Sequence, residues 1–173
     1  MKVNALIVPK GRFEHESGLQ VIDDETLKRI MDFARESMEE IPVDYEHASM
    51  KFGKYGKSGK PGGQGGMGES IVAGFLYPDS LSLEPIGLYG DIEFTAEAEE
   101  LIRAKTFRFL SPVFVYDPRR TKNGELYIES LISMGLTDKP NIAKMPELLN
   151  QILKEERMKE LLEKLKTELS IPP

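Results

Sequence analysis

The sequence predicts an α+β domain with a mainly β core, followed by a C-terminal helix. Short apolar and β-branched runs recur between glycine- and proline-rich turns, which is the pattern of successive β-strands. Two stretches with helix signals, each with a good N-cap, interrupt these runs. The last part of the chain is instead dense in Glu, Lys and Leu, a composition typical of a long exposed helix.

The N-terminal elements are predicted to be a strand, a helix and a second strand. The apolar run Val3–Val8 ends at a turn, which predicts a strand. Asp23 then caps a helix whose apolar residues recur at helical spacing over residues 27–38. Residues 43–47 alternate with period two. We therefore expect His47 at the end of a strand, on the same face as Val43 and Tyr45.

A glycine- and lysine-rich stretch, Gly53–Gly68, follows His47. Its composition cannot bury enough apolar surface to offset the entropy of ordering, so we expect a mobile loop. Strand patterns resume at Ile71–Tyr77 and Gly87–Phe94. Thr95 then caps a short helix over Ala96–Lys105, whose acidic start and basic end complement the helix dipole.

The second half of the core is predicted to be a hairpin. Phe107–Tyr116 is rich in aromatic and β-branched residues, as strands are. Asn123-Gly124 is a strong signal for a tight turn between antiparallel strands. Leu126–Thr137 is then the returning strand. The core predicted from these patterns is mostly β.

The C-terminal stretch is predicted to be a helix that opens at Pro146 and runs to Leu169. Its apolar residues step by four, three and four at Met158, Leu162, Leu165 and Leu169, which is a short coiled-coil seam. We expect residues 1–145 to form the functional domain and residues 146–173 to serve in association. We expect the chain that ends at Pro173 to be truncated or processed.

Composition excludes several classes of function. The chain of 173 residues has no cysteine, so disulfides, Cys-ligated zinc and a cysteine nucleophile are impossible. The net charge of −6 argues against general binding to nucleic acid. No apolar run is long enough for a signal-peptide core or a membrane span. We expect a soluble, intracellular protein with no nucleic-acid or membrane partner.

Two histidines are present, so any histidine-dependent chemistry uses His15 or His47. His15 lies in a polar stretch between turns and is expected to be exposed. His47 ends a half-buried strand beside the predicted loop, where a side chain is held rigidly and still faces a cleft. A structural role, as a partly buried histidine satisfied by a neighbour, is the more common explanation for such a residue.

Ser111 is the candidate nucleophile. It interrupts an apolar strand next to Pro112, and a strand proline marks an edge or a bulge where pairing stops. A serine hydroxyl needs a base within hydrogen-bond reach, and His47 would supply it. A small residue tolerated under a neighbouring side chain is the more common explanation for a serine at such a position. The returning strand offers Ser133, Asp138 and, less attractively, Glu129 to orient the imidazole.

A metal-dependent hydrolase that uses Asp44, Glu46 and His47 is the other reaction class to consider. Adjacent positions on a strand point to opposite faces, so Glu46 and His47 are poorly placed to share one ion. No H-E-x-x-H motif is present. We expect no metal and no other cofactor.

Several ordered motifs together resemble one known family, the Mu-like phage I protein, which is the prohead maturation protease of Mu-type phages and their prophages. The resemblance covers roughly residues 1 to 145 and rests on five segments, which are Val43–His47, Val72–Leu76, Gly87–Thr95, Phe107–Phe114 and Ser133–Pro140. Several motifs in the correct order are far more specific than any one of them.

The resemblance implies a small, mainly antiparallel β-barrel wrapped by helices, similar to herpesvirus assemblin and other prohead proteases. It implies that Ser111 is the nucleophile and His47 the base. The third catalytic residue stays open between Asp138 and Ser133, because assemblins use a second histidine there and this chain has none near residues 129 to 138. The long loop after His47 departs from the family pattern, and either covers the site or is itself cleaved.

The resemblance also implies the biological setting. Proteins of this type cut scaffold and capsid components inside the assembling prohead in the host cytoplasm, and often cut themselves. The implied partners are the capsid scaffold, the major capsid protein and, through the C-terminal helix, other copies of this chain. The alternative is a catalytically inactive scaffolding or assembly protein that keeps the protease fold.

Overall fold

The computed structural model describes residues 1–48 and 72–169. Over these residues the chain forms ten β-strands, three α-helices and one 3-10 helix. The strands are β1 (Lys2–Pro9), β2 (Gly11–His15), β3 (Gly18–Ile22), β4 (Ile41–Tyr45), β5 (Val72–Leu76), β6 (Ser82–Glu84), β7 (Gly87–Phe94), β8 (Phe109–Tyr116), β9 (Glu125–Leu126) and β10 (Ile128–Thr137). The helices are α1 (Asp24–Ser37), the 3-10 helix Pro78–Ser80, α2 (Ala96–Arg103) and α3 (Leu148–Leu169). The predicted loop at 53–68 and the chain end at Pro173 lie outside the described residues.

The larger sheet has seven strands in the order β1-β7-β5-β4-β10-β8, with β6 also paired to β7. Its pairs are antiparallel except for β4 and β10, which run parallel. The sheet curls into a half-barrel rather than a closed barrel. The predicted α+β class, with a C-terminal helix, is therefore confirmed.

The smaller sheet, β2-β3-β9, was not predicted from the sequence. Its hairpin β2–β3 turns at Glu16-Ser17, in the stretch where we expected only turns. His15 is consequently half-buried in β2, with its ring centroid 6.0 Å from that of Tyr116, and not solvent-exposed as expected. The hairpin packs alongside β8 and forms one side of the site described below.

Helix α1 begins where the cap predicts. The Asp23 carboxylate accepts a hydrogen bond of 2.8 Å from the Thr26 N–H, which satisfies one of the free donors of the first turn. The helix buries Leu27 and Ile30 completely against the sheet. It ends at Ser37, and the next proline, Pro42, lies inside β4.

The first turns of α3 pack against the outer strand β1. Leu148 and Ile152 are buried there, and the Gln151 side chain accepts a hydrogen bond of 2.8 Å from the Leu6 N–H. These contacts satisfy main-chain donors that an edge strand otherwise leaves unpaired. The rest of the helix projects away, and its predicted coiled-coil residues are exposed, at 52%, 49%, 53% and 85% for Met158, Leu162, Leu165 and Leu169.

Helix α2 was also predicted, and Thr95 caps it through a 3.2 Å hydrogen bond from the Ala98 N–H. The turn at Asn123-Gly124 is confirmed, since both residues have positive φ and Lys122 pairs with Glu125 across it. Among the helices that the structure describes, none combines the length and apolarity needed to cross a membrane.

Candidate active site

Three neighbouring strands of the large sheet place Asp44, Gly135 and Ser111 in one row. Gly135 on β10 is opposite Asp44 on β4 and opposite Ser111 on β8. Residues that are directly opposite in a sheet share a face, and their neighbours Val43, Leu136 and Leu110 point into the core. Asp44, Gly135 and Ser111 therefore share the opposite face.

His47 reaches this row through a backbone turn. Glu46 and His47 have φ of 51° and 58°, two consecutive left-handed residues that are not glycine. Such backbone costs energy and persists only where the surrounding structure imposes it. The turn ends β4 at Tyr45. It places the His47 ring on the face of Asp44, so the expectation that His47 shares a face with Val43 and Tyr45 was wrong.

The His47 ring lies directly over Gly135. A Cβ at position 135 would lie 2.6 Å from His47 Nδ1 and 2.7 Å from Nε2, and would meet Cε1 closer still. Only glycine leaves room for an imidazole at this distance from the sheet. Because Asp44 and Ser111 flank Gly135 on the two adjoining strands, the ring lies between a carboxylate and a hydroxyl.

Ser111 is fully buried. Its Oγ accepts a hydrogen bond of 3.2 Å from the Asn141 N–H, in the segment after β10. A hydroxyl that accepts one hydrogen bond retains its own hydrogen for donation. Ser111 is thus held by the main chain on one side while its proton is available to a base.

The two sequence-predicted candidates for a third residue lie apart from this row. Ser133 is buried two residues before Gly135 on the same face, and its Oγ has no hydrogen-bond partner among the described residues. Asp138 is exposed beyond the end of β10, where its N–H donates to Glu46 Oε1 at 3.4 Å. Asp44 is fully buried, and in the sequence analysis it entered only as a metal ligand.

A cavity of about 370 Å³, here called the β8 cavity, opens beside the row. Its lining includes His15, Gln20, His47, Phe114, Tyr116 and Asn141. His47 and Asn141 thus contribute both to the β8 cavity and to the surroundings of Ser111. The two histidines, far apart in sequence, line the same space.

Gln20 and Tyr116 connect the hairpin to β8 across the β8 cavity. The Gln20 side-chain amide donates a hydrogen bond of 2.7 Å to the Tyr116 hydroxyl. Burial raises the pKa of Tyr116 above its ordinary value, although the hydrogen bond from Gln20 opposes this. The phenol therefore stays neutral at physiological pH.

Sequence reasoning missed Gln20, Gly135 and Asn141. The alternating residues around Glu16-Ser17 were the available signal for the hairpin that carries Gln20. No local pattern marks Gly135 as a platform for a ring from another strand, or Asn141 as a donor to Ser111. Within residues 1–48 and 72–169, no three His, Asp or Glu side chains are grouped closely enough to hold a metal ion.

Comparison with known proteins gives one family. Residues 5–149 match the family model described as the N-terminal domain of the Mu-like prophage I protein. The Mu-like prophage FluMu I protein of Haemophilus influenzae is 27% identical over an alignment 178 positions long. The alignment covers 95% of this chain and 48% of that protein. The chain thus spans about half the length of this curated relative. No solved structure matches the chain.

Proposed function

The chain belongs to the Mu-like prophage I protein family, and from this premise we propose that it is the prohead maturation protease of a Mu-type phage or prophage. In this proposal it is a serine endopeptidase that cuts capsid scaffold, capsid components and itself. One observation carries the proposal, which is the His47 ring over Gly135 between the buried Asp44 and Ser111. A carboxylate, an imidazole and a serine in this order are the functional groups of a serine hydrolase.

The proposed reaction follows from these roles. His47 takes the Ser111 proton as Oγ attacks the scissile carbonyl, and the imidazolium then protonates the leaving amine. Water, deprotonated by the same imidazole, releases the acyl group and restores Ser111. The Asn141 N–H, which already donates to Ser111 Oγ, is the proposed donor to the oxyanion.

Asp44 is the proposed third residue, in preference to Ser133 and Asp138. A buried carboxylate stabilises the imidazolium that forms during the reaction, and Asp44 adjoins Gly135 beneath the ring. Ser133 is neutral and offers no such charge. Asp138 is exposed to solvent, where its charge is screened.

Ser111 is fully buried, so a substrate peptide has no access to its Oγ in this conformation. A peptide reaches Oγ only after the Asn141 segment or the His47 ring moves. We infer that association inside the prohead, with scaffold and major capsid protein and between copies through α3, triggers this movement in the host cytoplasm. The mainly antiparallel half-barrel, with the base directly after β4 and the serine on the later strand β8, supports an assemblin-like fold as part of the proposal.

The second candidate function is a catalytically inactive scaffolding or assembly protein that retains the fold. Two observations favour it. Ser111 has no exposed surface and its Oγ already has a main-chain partner. The distal half of α3 exposes an apolar seam suited to assembly.

Incubation of the full chain with the cognate scaffold protein separates the two functions. Ser111→Ala is expected to lower the cleavage rate by at least about 10³-fold, and Asp44→Asn by about 10⁴-fold. Ser130→Ala is the matched control, because Ser130 is another buried serine of the same sheet, and it should cleave at the wild-type rate. Cleavage by Ser111→Ala at the wild-type rate would show that the nucleophile is another residue.

The same assay decides the third residue. Ser133→Ala and Asp138→Asn are each expected to stay within a few-fold of wild type. A loss in either variant as large as that in Asp44→Asn would transfer the orienting role to that residue. If no variant and no wild-type preparation cleaves, even after assembly with scaffold, the inactive scaffolding function is the better description.

A further inference from the structure

We propose that the β8 cavity receives an asparagine or glutamine side chain of the substrate, next to the bond that is cut. This inference rests on the proposed protease function and adds the specificity that the active-site row does not define. The β8 cavity is lined by His47 and Asn141, the proposed base and the main-chain donor that contacts Ser111. A side chain held there belongs to a residue close to the scissile carbonyl.

The first argument is an unsatisfied amide in the cavity wall. Gln20 is 3% exposed, and its Oε1 has no hydrogen-bond partner among the described residues. Buried polar groups in folded proteins are normally hydrogen-bonded, and an exception at a cavity points to a ligand. Its Nε2 is already engaged with the Tyr116 hydroxyl at 2.7 Å, which fixes the amide. Oε1 has almost no accessible surface, so it accepts from a bound group once the cavity wall shifts slightly to admit one.

The second argument is a donor on the same wall. His15 Nδ1 accepts a hydrogen bond of 3.1 Å from the Ser17 N–H. In the neutral ring the proton is then on Nε2, which becomes a donor. The β8 cavity thus combines one acceptor, from Gln20, with one donor, from His15.

A carboxamide fits this pair because it carries an N–H donor and a carbonyl acceptor on one carbon. Exchanging the O and N atoms of Gln20 would not alter the conclusion, since the Tyr116 hydroxyl can donate as well as accept and a carboxamide complements either atom. No Asp, Glu, Lys or Arg among the described residues lines the β8 cavity. A charged substrate side chain would lose its hydration there without gaining an opposite charge.

The test uses the full chain and pairs of scaffold-derived peptides that differ only in Gln or Met beside the cleaved bond. Met matches the length of Gln and lacks its polar atoms. For the wild type, kcat/KM is expected to be at least roughly tenfold higher for the Gln peptide than for the Met peptide, which is the effect of one well-made pair of buried hydrogen bonds. Gln20→Met should reduce this ratio to within about twofold of unity.

Controls separate specificity from folding. Gln151→Met makes the same substitution on α3, remote from the β8 cavity, and should retain the wild-type ratio. Tyr116→Phe keeps the ring but removes the hydroxyl that holds the Gln20 amide, and should lower the ratio even if Gln20→Met does not fold. A wild-type preference for the Met peptide, or a ratio unaffected by both variants, would overturn the inference.

Failure of the protease proposal is recognisable separately, by cleavage that is absent or that persists in Ser111→Ala. The cavity is then tested by binding alone. Acetylated, amidated pentapeptides with central Gln or Met are titrated into the Ser111→Ala chain, with NMR signals of the His15 ring as the readout. Tighter binding of the Gln peptide, lost in Gln20→Met, supports the inference; equal affinity or no binding overturns it.

Discussion

A methyl group at Gly135 is the smallest change that would disturb the proposed catalytic row. In Gly135→Ala the new Cβ would lie 2.6 Å from His47 Nδ1 and 2.7 Å from Nε2, whereas ordinary contact begins at 3.4 Å. Position 135 is not among the glycines with positive φ, so alanine meets no backbone penalty there. The strain falls on the His47 ring, which must retreat by roughly 1 Å to relieve its closest atom, Cε1, or rotate away from the sheet.

Activity and stability should respond differently to Gly135→Ala. A displaced base loses its contribution to proton transfer, so cleavage should fall by about 10²- to 10⁴-fold. Overpacking costs about 1–3 kcal/mol, and the reduced freedom of the unfolded chain returns about 0.4–1 kcal/mol. We therefore expect the free energy of unfolding to fall by no more than about 2.6 kcal/mol, which leaves a domain of ordinary stability folded.

Gly90→Ala is the control for this prediction. A Cβ at Gly90 would meet Leu76 and Leu81 in the core, at 2.7 and 2.9 Å, remote from the active-site row. It should destabilise the protein in urea unfolding while the folded fraction cleaves scaffold at the wild-type rate. If Gly135→Ala folds and cleaves as fast as wild type, the position of the His47 ring is not required for activity and the proposed chemistry fails.

Three further predictions concern the fold and the helix α3. The Thr26 N–H lowers the pKa of Asp23 below its ordinary value of 3.8, so the stability from this cap is complete above that pH and disappears as pH falls through the lower folded-state pKa. Urea unfolding should show Asp23→Ala destabilised by about 1 kcal/mol at neutral pH, a difference that shrinks in acid; a difference that is constant with pH would contradict this. Ile30→Ala, at a fully buried position, should cost about 2–5 kcal/mol, and a loss below 1 kcal/mol would contradict the packing described. Replacing Leu162 and Leu165 together by Asp should abolish self-association in sedimentation with little change in Tm, because both are about half exposed; a wild-type sedimentation profile would place any interface elsewhere.

Short sequence signals predicted most of the helices and strands, because each signal reflects interactions between residues that are close in the chain. The Asp23 cap, the helical spacing after it and the Asn123-Gly124 turn each depend on a few consecutive residues. The β2–β3 hairpin was missed for the same reason. Its strands have only five residues each and β2 is polar, so the stability of the hairpin depends on packing against Tyr116 and on pairing with β9, both distant in sequence.

For the site, the sequence singled out Ser111 as the candidate nucleophile and His47 as its candidate base, and the ordered motifs around them identified the family. The alternation within single strands could not predict that His47 lies near Ser111, because it placed His47 on the core face with Val43 and Tyr45. Two left-handed residues at the end of β4 reversed that assignment, and backbone of this kind is imposed by tertiary contacts rather than by residue type.

The amino-acid sequence by itself determined the α+β class, the capped helices, the tail helix and the family. Tertiary structure alone decided which side chains meet. The parallel pairing of β4 with β10 put Asp44 beside Gly135, and the absent side chain of Gly135 left space for the His47 ring next to Ser111. These contacts join strands far apart in the chain, and the free energy that selects them comes from packing of the whole sheet rather than from any local preference.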